Sequence, residues 1–149
     1  MIRNYYVILL LIFFTSCENS KYYKEEKIIY DLTKEKSFFT NKKCVVLIPS
    51  YGCGSCTQDI INFSLINFEK KSIAFIFSGY DRQKSAIYRN IKNFEKGIII
   101  DSKSQLVSQG LVENKPVVYF IKDEHIHEII KFDDSISDEV IQRIKDSIK

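Results

Sequence analysis

The chain lacks several features that would each have pointed elsewhere. It has no internal repeat and no low-complexity block, which excludes solenoid and linker-like architectures. Its formal charge of +3 is close to neutral, and lysines and acids are interspersed along the sequence. Nothing in that pattern forms a nucleic-acid footprint. The first apolar run, Tyr5 to Phe14, is ten residues long. A helix needs about 20 apolar residues to cross a hydrocarbon core of roughly 30 Å, so this run is too short for a stable span. Tryptophan is absent, and histidine occurs only at His125 and His127. Four cysteines are present, too few and too unevenly placed for a disulfide framework.

The first residues fit a signal segment. Met1-Ile2-Arg3-Asn4 carries one positive side chain, the apolar run follows, and Thr15-Ser16 are small residues before Cys17. Phe14-Thr15-Ser16-Cys17 resembles a lipobox, the processing signal of bacterial lipoproteins, although Phe14 stands where that family prefers Leu. The resemblance implies lipidation at Cys17. A plain signal peptide cut nearby and an uncleaved anchor are the other two readings. The expected organisation is a signal peptide over 1–16, a polar tether over 17–26 and one domain over 27–149. Such a domain is long enough to bury a substantial core.

Within the domain, Cys44 to Ile48 is a short apolar run rich in β-branched residues, which predicts a buried strand ended by Pro49. A helix is predicted from about Gly54–Cys56 to Glu69, with Ile60, Ile61, Leu65 and Phe68 at helical spacing and Phe63 and Ile66 widening the apolar face. Ile73–Phe77 predicts a second strand. Asp81 to about Lys96 predicts a helix, and Ile98–Ile100 a third strand. Gln105–Gln109 suits a short helix ended by Gly110. Val117–Ile121 and His125–Phe132 predict a β-hairpin, and Asp138–Ile148 a closing helix capped by Ser135 or Ser137. The pattern at Ile28-Ile29-Tyr30 does not decide between strand and helix. The order β-α-β-α-β, hairpin, α gives an α/β fold with a mixed central sheet and helices on both faces.

The chemistry centres on Cys53-Gly54-Ser55-Cys56. Two cysteines at this spacing serve as a redox pair, a structural disulfide or half of a zinc site. Their position after a buried strand and at a helix start favours the redox pair. A zinc site would need two further ligands, and there is no second Cys-x-x-Cys. At a helix N-terminus, unpaired N–H groups and the macrodipole favour a thiolate. Cys53 is accordingly the expected nucleophile, and Cys56, one turn along, the resolving thiol.

The stretch Val45 to Cys56 resembles the active-site strand, loop and helix start of thioredoxin-like proteins. Asn114-Lys115-Pro116-Val117 resembles their cis-proline loop, and Ile98–Lys103 with Leu106 and Gly110–Val112 is similar to membrane-associated TlpA-like disulfide reductases. The resemblance spans about residues 28–149 and implies a thioredoxin-like three-layer sandwich. It further implies a cis Lys115–Pro116 bond and substrate binding by Lys115 and Pro116, with Tyr51 beside the cysteines. The expected activity is thiol–disulfide exchange, as a reductase, on exported proteins. No cofactor or metal beyond the redox-active disulfide is expected. The expected partners are disulfide-containing exported proteins, a transmembrane electron donor and the membrane through the lipid anchor, with the chain a periplasm-facing monomer in the bacterial envelope. Lys115 is expected to add positive charge near Cys53, or else to be a solvated loop lysine. Departures from the pattern are Gly52 in place of the usual Trp, Leu47 near the position of a buried acid, and Pro49 in place of an aromatic.

Other readings stay open. A lipoprotein binding module could keep the scaffold with its disulfide permanently closed. Ser50-x-x-Cys53 faintly echoes the peroxiredoxin Thr-x-x-Cys. Cys44 reads as a small buried hydrophobe. His125 and His127 share one face of a strand and could hold a metal, but with no carboxylate or cysteine partner placed beside them a surface strand is the expected reading. Tyr22 and Tyr23 suit either a lipid interface or a plain tether.

Overall fold

The computed structural model describes residues 20–35, 37–51, 54–79, 98–133 and 135–149. The expected signal peptide, Cys17, Cys53 and the expected helix 81–96 lie outside the described residues. The elements in chain order are α1 (Tyr23–Thr33), β1 (Cys44–Pro49), α2 (Gly54–Asn67), β2 (Ile73–Ser78), β3 (Ile98–Asp101), α3 (Gln105–Ser108), β4 (Val117–Lys122), β5 (His125–Lys131) and α4 (Ser137–Ser147). The five strands form one sheet in the order β3-β2-β1-β4-β5. β1, β2 and β3 pair in parallel, with Cys44 opposite Ile73 and Phe75 opposite Ile98. β4 runs antiparallel to both β1 and β5.

The central strand explains the two-faced core. Every residue of β1 is buried, so its sequence shows no polar alternation. Cys44, Val46 and Ile48 pack with Ile60, Ile61, Phe63, Val140 and Ile144 from α2 and α4. Val45 and Leu47 pack on the opposite face with Ile29 of α1 and Leu106 of α3. Helices therefore cover both faces, as expected from the sequence. α4 is further clamped by Arg143, whose Nη2 lies 2.7 Å from Glu128 Oε2 and whose guanidinium sits over the Phe120 ring. Among the described residues, no helix is long and apolar enough to cross a membrane.

Four local expectations are corrected. The segment read as a tether becomes helical at Tyr23, so its last four residues belong to α1. Glu26 is the reason, being buried at 4% exposure. Its Oε1 accepts the Ile126 N–H at 2.8 Å and the Ser20 hydroxyl at 2.7 Å, and Oε2 lies 3.3 Å from His125 Nδ1. His125 thus does meet a carboxylate, one that only the fold brings near. Ile66 is 81% exposed instead of widening the buried face of α2, because the stripe through Cys56, Ile60 and Phe63 already fills it. Neither Ser135 nor Ser137 caps α4. The N-cap is Ile136 with no side-chain bond. Ser135 bonds back to Asp133, and the buried Ser137 hydroxyl has no partner among the described residues.

Glu26 ties the chain entrance to the edge strand through a buried carboxylate. Glu26→Ala leaves the Ile126 N–H unpaired, and we expect a loss of about 2 kcal/mol of unfolding free energy. Glu26→Gln keeps one acceptor and should lose less. Urea midpoints at unchanged m-value measure both.

Candidate redox site at the end of the parallel strands

The parallel strands end together. Pro49 lies opposite Ser78, and Ser78 opposite Asp101. α2 starts at Gly54, the residue that follows Cys53 in sequence. This is the strand–loop–helix arrangement expected around the cysteine pair. Cys56 falls in the first turn of α2 and is 1% exposed, whereas Gly54 and Ser55 are exposed. Tyr51 is 54% exposed at the mouth of the loop. Added side-chain bulk at Gly54 meets nothing within 4 Å, so packing does not require glycine there.

β4 brings the proline loop to the same end. Leu47 is paired antiparallel with Val117, so Pro116, one residue earlier, comes level with the end of β1. Pro116 is buried and Lys115 half-buried. The loop is held by the Tyr119 hydroxyl, which donates to Leu111 O at 3.1 Å, and by Phe132 N–H, which donates to Pro116 O at 2.9 Å. Burial raises the Tyr119 pKa, keeping that donor protonated. The Lys115–Pro116 bond is trans, since no described residue has a cis bond. This corrects the cis geometry that the resemblance implied. Trans is the intrinsic preference of X–Pro bonds, and Pro116 O here simply extends the β4–β5 pairing. Lys115 also acts on Asp133, where its charge is one of the smaller contributions to a lowered carboxyl pKa, behind the two bonds from Ser135.

The sequence reading missed Asp101. It is 1% exposed at the end of β3. Its Oδ2 accepts the Ser78 hydroxyl at 2.6 Å and the Leu106 N–H at 2.8 Å, and Oδ1 accepts the Gln105 N–H at 2.9 Å. Its backbone carbonyl takes the Gly79 N–H. One carboxylate therefore fixes the exit of β2 and the start of α3. At Gly79, φ is +78°, a conformation that favours glycine, and a Cβ there would stand 2.8 Å from Ser50 Oγ. The available signal was an acid directly after a strand and four residues before a short helix.

Cys44 is wholly buried, at the opposite end of β1 from the cysteine loop. Burial pushes its thiol up to about 12, with a Ser147 hydrogen bond opposing slightly. It behaves as core, as expected. Among the described residues, no three His, Cys, Asp or Glu side chains gather as a metal site.

A central strand followed by a cysteine-bearing helix, flanked on one side by two parallel strands and on the other by an antiparallel hairpin, decides the architecture. The fold is thioredoxin-like. No protein-family model matches the sequence, and no curated protein matches it. Solved structures are similar to it, two of them as follows. One is a Chlorobium tepidum protein assigned as thiol:disulfide interchange protein DsbE, at 17% identity and a TM-score of 0.48, covering 76% of this chain and 84% of that one. The other is Arabidopsis thaliana ScoI with copper bound, at 14% identity and a TM-score of 0.38, covering 70% and 85%. Likenesses of this size bring no activity with them.

Two outcomes follow for this thioredoxin-like domain. Asp101→Ala strands two buried donors, the Ser78 hydroxyl and the Leu106 N–H, and a half-buried one, the Gln105 N–H, and should cost about 3 kcal/mol in urea unfolding, with Asp101→Asn recovering part of the loss. Iodoacetamide near neutral pH should leave Cys44 unmodified in the folded chain and alkylate it only after unfolding, read by peptide mass. Because the folded thiol's pKa lies above its ordinary 9.0, its stabilising contribution is full below pH 9 and is lost as pH rises towards 12.

Proposed function

We propose that this chain is a thiol–disulfide oxidoreductase that reduces disulfides in exported proteins, with Cys53 as nucleophile and Cys56 as resolving thiol. The observation that carries the reading is the placement of Cys56, buried in the first turn of the helix that follows the central strand. A shielded second thiol beside an N-terminal first thiol is what sequential exchange requires. Substrate then reaches Cys53 first, and Cys56 acts only within the complex.

The steps balance as two transfers. The Cys53 thiolate attacks one sulfur of the substrate disulfide. That bond breaks, a mixed disulfide forms, and one substrate thiolate leaves and takes a proton. Cys56, as thiolate, attacks the Cys53 sulfur and releases the second substrate thiolate. The substrate gains two electrons and the pair ends as the Cys53–Cys56 disulfide. A membrane dithiol donor restores it, and no other cofactor takes part. The exposed Tyr51 ring offers apolar contact to the substrate, and Lys115 and Pro116 lie on the adjoining loop at the same sheet end. An extended substrate segment would lie along the Lys115 backbone by strand addition.

Leu47 limits how the second thiol loses its proton. It is fully buried among hydrocarbon side chains, so no carboxylate stands at that position. The proton then passes to another base or to water, which makes resolution the slower of the two steps.

The lipobox-like Cys17 supports a lipid-anchored, periplasm-facing monomer in a bacterial envelope, cut after Ser16. Insulin reduction by the purified chain with a dithiol donor tests the catalytic reading. Cys53→Ser should fall to the rate of the donor alone. Cys56→Ser should accumulate a mixed disulfide with substrate, visible on a non-reducing gel. Wild-type activity equal to that of Cys53→Ser would instead favour a non-catalytic binding module.

A further inference from the structure

The end of the domain farthest from the cysteine loop gathers charge that the sequence disperses. β1 and β2 start side by side, with Cys44 opposite Ile73. The turns leading into them carry Lys42, Lys43, Lys70 and Lys71, with Glu69 the one acid among residues 40–43 and 69–72. Lys43 N–H donates to Ser72 O at 2.7 Å, and Lys42 Nζ to Lys71 O at 2.8 Å. These bonds draw the two lysine pairs into one corner. Three of the four are exposed and Lys42 is half-buried. Lys42, Lys70 and Lys71 line a cavity of about 250 Å³ with Phe38, Phe68 and Glu35. At the neighbouring β4–β5 turn, Asp123 is exposed and Glu124 takes the Thr40 hydroxyl.

The chain enters the domain at this same end. Ser20 is bonded to Glu26, which holds Ile126 just past the β4–β5 turn. β4 reaches that turn by running past Cys44 in the opposite direction to β1. Cys17 precedes Ser20 by three residues, a reach of at most about 11 Å. A lipid on Cys17 therefore holds Ser20 within about 11 Å of its anchor, little more than the Debye length of roughly 8 Å at physiological ionic strength, so this end is the one nearest the membrane's surface charge. Tyr23, 55% exposed beside the entrance, is an amphipathic ring of the kind that settles at headgroups.

Resting on the reading of Cys17 as the lipid-bearing residue, we propose that the corner formed by Lys42, Lys43, Lys70 and Lys71 docks on anionic phospholipid headgroups of the anchoring bilayer. The Cys53–Cys56 end then faces the aqueous phase, and its substrates come from solution. The phosphodiester meets the lysines.

The test is pulsed lysine acetylation, read by peptide mass, of the purified full chain on vesicles of phosphatidylcholine alone or mixed with phosphatidylglycerol. Lys42, Lys43, Lys70 and Lys71 should react roughly threefold or more slowly on the anionic vesicles. Lys103, Lys115 and Lys131, at the cysteine end, should react equally on both. The difference should vanish at about 1 M salt, where the Debye length falls to about 3 Å. Equal rates at the four corner lysines, or protection of Lys103, Lys115 and Lys131 instead, overturn the docking. Intact mass separates this from the anchor itself. Acylated Cys17 without lysine protection sinks the docking and leaves the anchor. Protection on anionic vesicles with unacylated Cys17 supports the docking and removes the anchor.

Discussion

Burial of β1 on both faces is the constraint from which the rest of the architecture follows. A strand with no solvated side must have a helix layer above and below it, and its own backbone must be paired on both edges. β2 supplies one edge in parallel and β4 the other in antiparallel. A parallel neighbour demands a crossover, which α2 provides. α2 begins at the end of the sheet where β1 stops, so Ser50 and Tyr51 follow the strand at that end by the packing of the core. A helix start leaves its first N–H groups without intrahelical partners, a setting that favours a thiolate over a thiol.

Two buried carboxylates hold the ends of this arrangement. Asp101 fixes the cysteine end by gathering Ser78, Gln105 and Leu106. Glu26 fixes the opposite end by joining α1 to the outer strand. Each sits among backbone N–H or hydroxyl donors, the condition under which a buried charge is tolerated. Glu26 also occupies an outward N–H of the edge strand, which lessens the tendency of that edge to pair with another chain.

What was legible in the sequence was what depends on local pattern. The apolar run Cys44–Ile48, the helical spacing after Cys56 and the hairpin around Lys122–Glu124 each announce themselves within ten residues. The strands, α2, α3, the hairpin and the closing helix accordingly fall within one or two residues of expectation, allowing for Ser78, Asp101 and Lys122 at strand ends. What was not legible depends on partners far away in the chain. Glu26 looks like one more charged tether residue until Ile126, a hundred positions on, supplies its N–H. Asp101 looks like the polar end of a strand until Ser78 meets it across the sheet. Ile66 follows the helical period and still faces solvent, because period alone cannot say how wide a facing groove is. The cis bond at Pro116 came from resemblance alone, and resemblance does not carry a backbone torsion. At the site itself, Cys56 and the level of Pro116 were readable. The position of the Cys53 sulfur lies outside the described residues.

Charge illustrates the same division most clearly. Along the sequence, Lys42-Lys43 and Lys70-Lys71 are two ordinary dibasic pairs separated by a strand and a helix. Parallel pairing of β1 with β2 makes the starts of both strands neighbours, so any charge preceding one is added to charge preceding the other. The opposite end of the same strands closes on Asp101, Ser78 and Ser50, which are compact and hydrogen-bonded. Parallel topology thus gives the domain two chemically distinct ends without any feature that a linear reading would single out. The proposed exchange chemistry would sit at the end where helix α2 begins, since a helix start leaves backbone donors free to favour a thiolate. An electrostatic contact with an extended negative surface belongs at the other, where side chains are long, solvated and close together. The two ends are separated by the length of β1, about 20 Å for its six residues, so the lysine charges lie beyond two Debye lengths of the strand end near which α2 begins.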